Sequence, residues 1–129
     1  MRVLVDTSVW SLALRRKGGG EAAQRLADMI EASLVVMIGP VRQEILSGIS
    51  NADTFNRLSA HLDAFEDFPI TTQDHVTAAQ FYNTCRKHGI QGSHTDFLIC
   101  AVAHRNNLHI FTTDKDFESY AEYLPILCL

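Results

Sequence analysis

Short apolar runs alternate with longer stretches in which apolar residues recur at helical spacing, and this alternation limits the fold more than any other feature of the sequence. Residues 2–5, 34–38 and 109–113 have the β-branched and aliphatic composition of buried strands. Strands that alternate with helices through short connections favour a parallel sheet with right-handed crossovers. We therefore expect an α/β fold, specifically a three-layer α/β/α sandwich with a central parallel sheet.

Helical segments are predicted between and after these strands. Apolar residues in them recur at helical period, and Gly18-Gly19-Gly20 separates the first two helices. Residues 68–70 are predicted to form a short or edge strand, and residues 125–128 a final edge strand. The predicted helices cover residues 7–16, 22–30, 51–65 and 72–88, and three others begin at residues 39, 93 and 114.

The chain of 129 residues has the usual size of one domain, which we place at residues 1–129. Hydrophobic residues make up 47% and charged residues 20%, a balance that is typical of globular proteins and unlike that of disordered chains. No apolar stretch approaches the roughly 20 residues of a membrane-spanning helix. The N-terminus enters a strand pattern without a secretory signal, so we expect a cytoplasmic protein.

The three cysteines, Cys85, Cys100 and Cys128, are odd in number and far apart in the sequence. This pattern indicates neither a disulfide framework nor a paired-cysteine zinc site. The formal net charge of −4 weighs against a nucleic-acid partner, because such proteins usually present a basic surface to the phosphates. A function on RNA or DNA therefore requires a local source of positive charge.

Four carboxylates follow the predicted strands at corresponding positions. Asp6 comes directly after the first strand, Glu44 lies in the helix after the second, Asp96 opens an apolar helix, and Asp114 directly follows residues 109–113. The carboxyl ends of parallel strands form the ligand crevice of an open sheet, and helix N-termini point there too. The sequence therefore predicts that the four acids converge on one edge.

Like charges at short distance disfavour folding unless protons or a cation compensate them. Because the candidate ligands are oxygen donors, the predicted site suits Mg²⁺ or Mn²⁺ rather than zinc, and this favours chemistry on a phosphate ester. Asp6 and Asp96 are the main expected metal ligands. Asp114 would complete the ligand set directly or through water, and Glu44 would orient the attacking water or a second ion.

Each acid also has a purely structural interpretation. Asp6 and Asp114 could cap helices, Asp96 could complete a capping box with Ser93, and Glu44 could complement a helix dipole. Such caps are common, so a single acid is weak evidence for a metal site. The quartet is more informative than any of its members.

The stretches around these acids together resemble a PIN domain of the VapC type, a ribonuclease toxin of toxin–antitoxin systems. The resemblance covers nearly the whole chain in order, spacing and length. Its motifs are Val5-Asp6-Thr7-Ser8, Glu44 after Gly39-Pro40, Thr95-Asp96 before an apolar helix, and Phe111-Thr112-Thr113-Asp114-Lys115-Asp116-Phe117.

This resemblance implies an Mg²⁺- or Mn²⁺-dependent ribonuclease whose acidic residues match Asp6, Glu44, Asp96 and Asp114, with Thr112 as a supporting hydroxyl. It also implies homodimerisation and inhibition by a small VapB-like antitoxin. Asp116 fits the family position less well than Asp114, so we interpret it as a supporting residue or a helix cap.

Two basic clusters are candidate RNA contacts, Arg15-Arg16-Lys17 and Arg86-Lys87-His88. We favour their structural interpretation, as solvated cations at helix C-termini.

Three other functions remain open: a PIN nuclease that acts in RNA maturation or on structured DNA, a receiver-like signalling module that binds Mg²⁺, and an inactive binding domain. A receiver-like site usually has paired acids after the first strand, whereas Asp6 is followed by Thr7 and Ser8.

Overall fold

The computed structural model describes residues 1–14 and 20–129, which contain a four-stranded parallel sheet. The strands are β1 (Val3–Val5), β2 (Val35–Val36), β3 (His109–Phe111) and β4 (Leu127–Cys128). Their order is β2-β1-β3-β4, so the first strand lies in the interior of the sheet. Val3 in β1 pairs with Val35 in β2 and with His109 in β3.

Helices connect and cover these strands, and the predicted three-layer α/β/α sandwich is confirmed. In the described ranges the helices are α1 (Thr7–Ala13), α2 (Gly20–Glu31), α3 (Gly39–Leu46), α4 (Ala52–Leu62), α5 (Thr72–Lys87), α6 (His94–Asn106) and α7 (Asp116–Ala121). The longest of them, α5 and α6, pack along each other, and α1 packs against α2 and α3.

The core is centred on β1 and α6. All three residues of β1 are fully buried. Six residues of α6 are buried as well, which confirms the prediction of a core helix packed on several sides. Asn107 ends this helix in the left-handed conformation with a φ of 54°, a common helix stop. The buried residues form one apolar cluster that fixes the sheet against its helices.

An ion pair between exposed Arg105 and buried Asp74 connects the end of α6 to the start of α5. Asp74 and Thr71 form a complete capping box at the start of α5. Arg105, in the last turn of α6, donates to both carboxylate oxygens of Asp74, at 2.6 and 2.8 Å. Because Asp74 is only 1% exposed, this contact fixes the relative position of the two helices inside the fold.

The prediction of a strand over residues 68–70 is wrong. The chain there makes an isolated bridge between Met37 and Asp67, and the N–H of Phe68 donates to the carbonyl of Met37 at 2.7 Å. Pro69 follows at once and has no N–H to continue the ladder. The predicted strands at 34–38 and 125–128 are present but shorter.

Cys85, Cys100 and Cys128 are free thiols, as expected. Residues 15–19, which include the candidate RNA contacts Arg15, Arg16 and Lys17, lie outside the described residues. Across the described ranges, no helix has both the length and the apolar character needed to cross a membrane.

Candidate active site

The four carboxylates singled out in the sequence line one cleft at the carboxyl edge of the sheet. The cleft has a volume of about 590 Å³. Its other lining residues are mostly small or hydroxylated, together with one further acid. The full lining is Asp6, Thr7, Ser8, Glu44, Ser47, Gly92, Ser93, Asp96, Asp114 and Asp116.

The fold brings each acid to this edge by a local device. The N–H of Asp6 donates to the carbonyl of Phe111 at 2.9 Å, which extends the β1–β3 ladder up to the cleft. Glu44 lies in α3, which starts directly after β2 with Pro40 at its beginning. Asp96 lies in the first turn of α6, and Asp114 follows β3. The four acids come together because parallel strands place their carboxyl ends at the same edge of the sheet.

Asp6 does not cap α1, although it stands at the N-cap position. Its Oδ2 instead accepts hydrogen bonds from the hydroxyls of Ser8, at 2.7 Å, and Thr112, at 2.8 Å. The N–H of Thr113 donates to the Ser8 hydroxyl at 3.0 Å, which holds that hydroxyl in place. The sequence pointed to Thr112 but not to Ser8 as a partner of this carboxylate.

Glu44 and Asp114 are each held by one neighbour. The Thr7 hydroxyl donates to Glu44 Oε1 at 2.7 Å, a contact that sequence reasoning missed. Asp114 Oδ1 accepts from the N–H of Asp116 at 2.9 Å, so one of its oxygens stabilises the turn into α7. Asp114 is not the N-cap of α7, because Lys115 stands at that position without a side-chain cap hydrogen bond.

Asp96 forms half of the predicted capping box. Its N–H donates to the Ser93 hydroxyl at 3.1 Å, as an N-cap requires. Its carboxylate does not complete the box, because Oδ2 accepts from the hydroxyl of Tyr120 at 2.7 Å. Tyr120 lies 24 residues further along the chain and is fully buried, and no local sequence signal pointed to it.

Burial and neighbouring charges both act on Asp96. Burial raises the pKa of this carboxyl most, the negative charges of Asp6 and Asp114 raise it further, and the Tyr120 hydrogen bond opposes them. Burial also raises the pKa of Tyr120, with the hydrogen bond to Asp96 as the next cause, so the phenol stays protonated and donates. The three acids are therefore close enough to influence one another.

The donor chemistry of the cleft suits a hard divalent cation. Among the hydrogen bonds of the described residues, each of the four carboxylates uses one oxygen and leaves the other without a protein donor. No group of three or more His, Cys, Asp or Glu side chains in the described ranges forms a ready-made metal cluster. The four carboxylate oxygens without a protein donor belong to residues that line an open acidic cleft, and they could coordinate a cation. Oxygen ligands are those that Mg²⁺ and Mn²⁺ prefer.

The described residues that line the cleft include no lysine, arginine or histidine. Arg86 donates to the Tyr82 hydroxyl at 3.1 Å, and the ring of His88 stacks on that of Tyr123 with centroids 3.9 Å apart. The structure therefore does not bring the second basic cluster into the cleft. A phosphate could approach these carboxylates only if a bound cation offset their charge.

Comparison with known proteins identifies the family. The family model of the PIN domain matches residues 3–123. VapC ribonuclease Mb1587 of Mycobacterium bovis and ribonuclease VapC11 of Mycobacterium tuberculosis are each 31% identical to this chain over 122 residues, which covers 92% of this chain and 91% of theirs.

Solved structures share the fold at lower sequence identity. FitAcB from Neisseria gonorrhoeae has a TM-score of 0.79 at 21% identity, over 98% of this chain and 96% of its own. VapBC2 from Rickettsia felis, bound to a DNA fragment from its promoter, has a TM-score of 0.80 at 13% identity, over 100% and 98%. The resemblance derived from the sequence motifs is confirmed, and this chain belongs to the PIN-domain family.

Proposed function

We propose that this protein is a metal-dependent endoribonuclease, the VapC-like toxin of a toxin–antitoxin pair. The observation that carries the proposal is the convergence of Asp6, Glu44, Asp96 and Asp114 on one cleft whose described lining has no cation. Such a cleft needs a divalent ion before it can accept a phosphodiester. The ribonucleases to which the chain is 31% identical support RNA as the substrate.

Asp6 and Asp96 would hold the ion, Mg²⁺ or Mn²⁺, with Asp114 as a third ligand directly or through water. When bound, the ion would lower the pKa of a coordinated water and neutralise charge on the phosphate. The hydroxyls of Ser8 and Thr112 orient Asp6 so that its second oxygen is available. Glu44, held by the Thr7 hydroxyl, would orient the water that attacks phosphorus.

The partners follow from the same assignment. Solved neighbours of this fold include VapBC complexes from Rickettsia felis and nontypeable Haemophilus influenzae. By analogy, this chain would be neutralised by a small VapB-like antitoxin and would act as a homodimer on RNA in the cytoplasm. Membership of the PIN family removes the support for a receiver-like signalling module.

The direct test is cleavage of RNA by the purified, antitoxin-free protein. Total RNA is incubated with Mg²⁺ or Mn²⁺, with chelator, and with the variants Asp6→Asn and Asp96→Asn. We expect discrete fragments that need the metal and are absent with both variants. Asp53→Asn, which changes an exposed acid in the first turn of α4, is the matched control and should cleave normally. Cleavage that persists in chelator, or undiminished cleavage by Asp6→Asn, contradicts the proposal.

A growth experiment separates a toxin from a PIN nuclease of RNA processing, because the active site would be the same in both. We expect expression of the wild-type chain to arrest growth and co-expression of its VapB-like antitoxin to relieve the arrest. The Asp96→Asn variant should leave growth unaffected. Normal growth with an RNA-cleaving wild-type protein would favour RNA processing.

A further inference from the structure

The hydroxyl of Tyr120 reaches the cleft from inside the protein. Tyr120 lies on α7 and is fully buried, yet its hydroxyl donates to Oδ2 of Asp96 at 2.7 Å. The rings of Phe97 and Phe117 hold the phenol from two sides, with centroids 5.0 and 5.1 Å from that of Tyr120. The position of the hydroxyl is therefore set by core packing and not by solvent.

Gly92 leaves the space that this hydroxyl occupies. A Cβ atom at position 92 would lie 2.3 Å from the Tyr120 oxygen and 2.8 Å from the ring carbon that bears it. Real Cβ atoms essentially never come so close, so any side chain here would displace the phenol. Gly92 also lines the cleft, which places this gap beside Asp96.

Asp96 depends on this contact more than Asp6 depends on either of its partners. Asp6 receives two hydroxyl donors on one oxygen, from Ser8 and Thr112. Among the described hydrogen bonds, the carboxylate of Asp96 receives one, from the Tyr120 hydroxyl at 2.7 Å, and the Ser93 side chain makes a smaller contribution to lowering its pKa. Loss of one donor therefore leaves Asp6 with a second close donor, whereas loss of the Tyr120 hydroxyl leaves Asp96 with none.

We propose that Tyr120, in the space left by Gly92, is a positioning residue that fixes the Asp96 carboxylate with Oδ1 presented to the divalent ion. This inference rests on the proposed function, because it assigns Asp96 as a metal ligand. Donors to the second oxygen of a ligating carboxylate orient it, and their removal typically costs about 10- to 100-fold in metal affinity or activity.

The alternative is a structural role, in which the hydroxyl merely satisfies its own hydrogen bond in the core. Tyr120→Phe distinguishes the two, because it keeps the ring between Phe97 and Phe117 and removes only the donor. Tyr82→Phe is the matched control. Tyr82 also packs edge-on against Phe97, at 5.7 Å, but its hydroxyl contacts Arg86 and it does not line the cleft.

The experiment measures Mn²⁺ binding to the metal-free, full-length protein by calorimetry, so that its readout does not depend on RNA cleavage. We expect Tyr120→Phe to raise the dissociation constant about 10-fold or more and Tyr82→Phe to leave it unchanged. Thermal unfolding in chelator checks that both variants retain the fold. An unchanged dissociation constant for a folded Tyr120→Phe protein overturns this inference and leaves the proposed function standing. If the wild-type protein binds no Mn²⁺, the proposed function fails, and the inference fails with it.

A double-mutant cycle tests the part assigned to Gly92. We expect Gly92→Ala to weaken Mn²⁺ binding in the wild-type background and to have a smaller effect in the Tyr120→Phe background, which lacks the oxygen nearest the added Cβ but keeps the ring carbons of residues 120 and 97 within 2.9 Å of it. Additive losses would mean that Gly92 acts independently of the hydroxyl and would overturn its role. A structure of Tyr120→Phe should show the Asp96 carboxylate turned from its present orientation.

Discussion

Individual hydroxyl groups decide how the carboxylates of the cleft are presented. Thr112 illustrates this, because its hydroxyl donates to Asp6 Oδ2 at 2.8 Å and accepts from the N–H of Asp114 at 3.0 Å. One side chain thus links two of the four acids. Without its hydroxyl donors the Asp6 carboxylate would be free to rotate, whereas the backbone N–H of Asp116 would still hold that of Asp114. A metal held by a mobile ligand binds more weakly.

Replacement of Thr112 by valine tests this link, since it keeps the β-branched shape and removes the hydroxyl. We expect Thr112→Val to lower metal-dependent RNA cleavage about 10-fold, because Asp6 retains Ser8 as a second donor. Thr113→Val is the control: this neighbouring side chain makes no hydrogen bond among those described, although its N–H does. Equal activity of the two variants in a cleavage time course would contradict the role assigned to Thr112.

At the scale of elements, the α5–α6 pair positions Asp96. The first turn of α6 carries this acid into the cleft, and the last turn of α6 is anchored by Arg105 to Asp74 at the start of α5. The carboxylate of Asp74 thereby serves both a capping box and an ion pair. The position of a cleft residue therefore depends on a contact at the opposite end of its helix.

This anchor predicts how stability varies with pH. The hydrogen bond from Arg105 is the main reason why the pKa of Asp74 lies below its ordinary value of 3.8. Between the folded and unfolded pKa values the unfolded chain binds more protons, so the stabilisation is present above about pH 4 and disappears as the pH falls through the folded pKa. We expect Asp74→Asn to cost about 1–3 kcal/mol at neutral pH.

Denaturant unfolding of the wild-type protein and Asp74→Asn at a series of pH values measures this effect. The difference in free energy of unfolding between the two should shrink as the pH is lowered below about 4, because protonated Asp74 resembles asparagine. A difference that stays constant down to acid pH would show that the carboxylate charge contributes nothing.

In the molecule as a whole, the apolar core and the acidic cleft are separate regions. The apolar cluster around β1 and α6 contains none of the four acids, which line the cleft at the carboxyl edge of the sheet. Burial raises the pKa of Asp96 most, and the negative charges of Asp6 and Asp114 raise it further, a repulsion that a cation would relieve. We therefore expect an ion to stabilise the folded chain without being needed to form it.

Thermal unfolding with and without Mn²⁺ tests this separation. Chelator should leave the far-ultraviolet circular dichroism unchanged, and saturating Mn²⁺ should raise the Tm, since about 2.7 kcal/mol is gained at 100 times the dissociation constant. The rise should be much smaller in Asp96→Asn. Unfolding of the wild-type protein by chelator would contradict the separation of folding from metal binding, and an equal rise in both proteins would contradict the proposed site.

The sequence by itself determined the parallel α/β architecture and the location of the acids, because both depend on local information. Hydrophobic periodicity identified β1, β3 and α6, and an acid directly after a parallel strand must lie at the carboxyl edge. The strand order β2-β1-β3-β4 depends on pairing between distant segments, and only the tertiary structure decided it. The predicted strand at residues 68–70 is wrong for a local reason, because Pro69 has no N–H and ends the pairing after one bridge.

Only the tertiary structure decided which groups hold each carboxylate. Ser93-x-x-Asp96 has the sequence of a capping box, yet the Asp96 side chain turns to Tyr120, a residue brought near by the packing of α7. The same holds for Thr7 and Glu44, which are 37 residues apart. The physical reason is that a side-chain hydrogen bond needs two groups within about 3 Å, and spacing along the chain sets that distance only within one element.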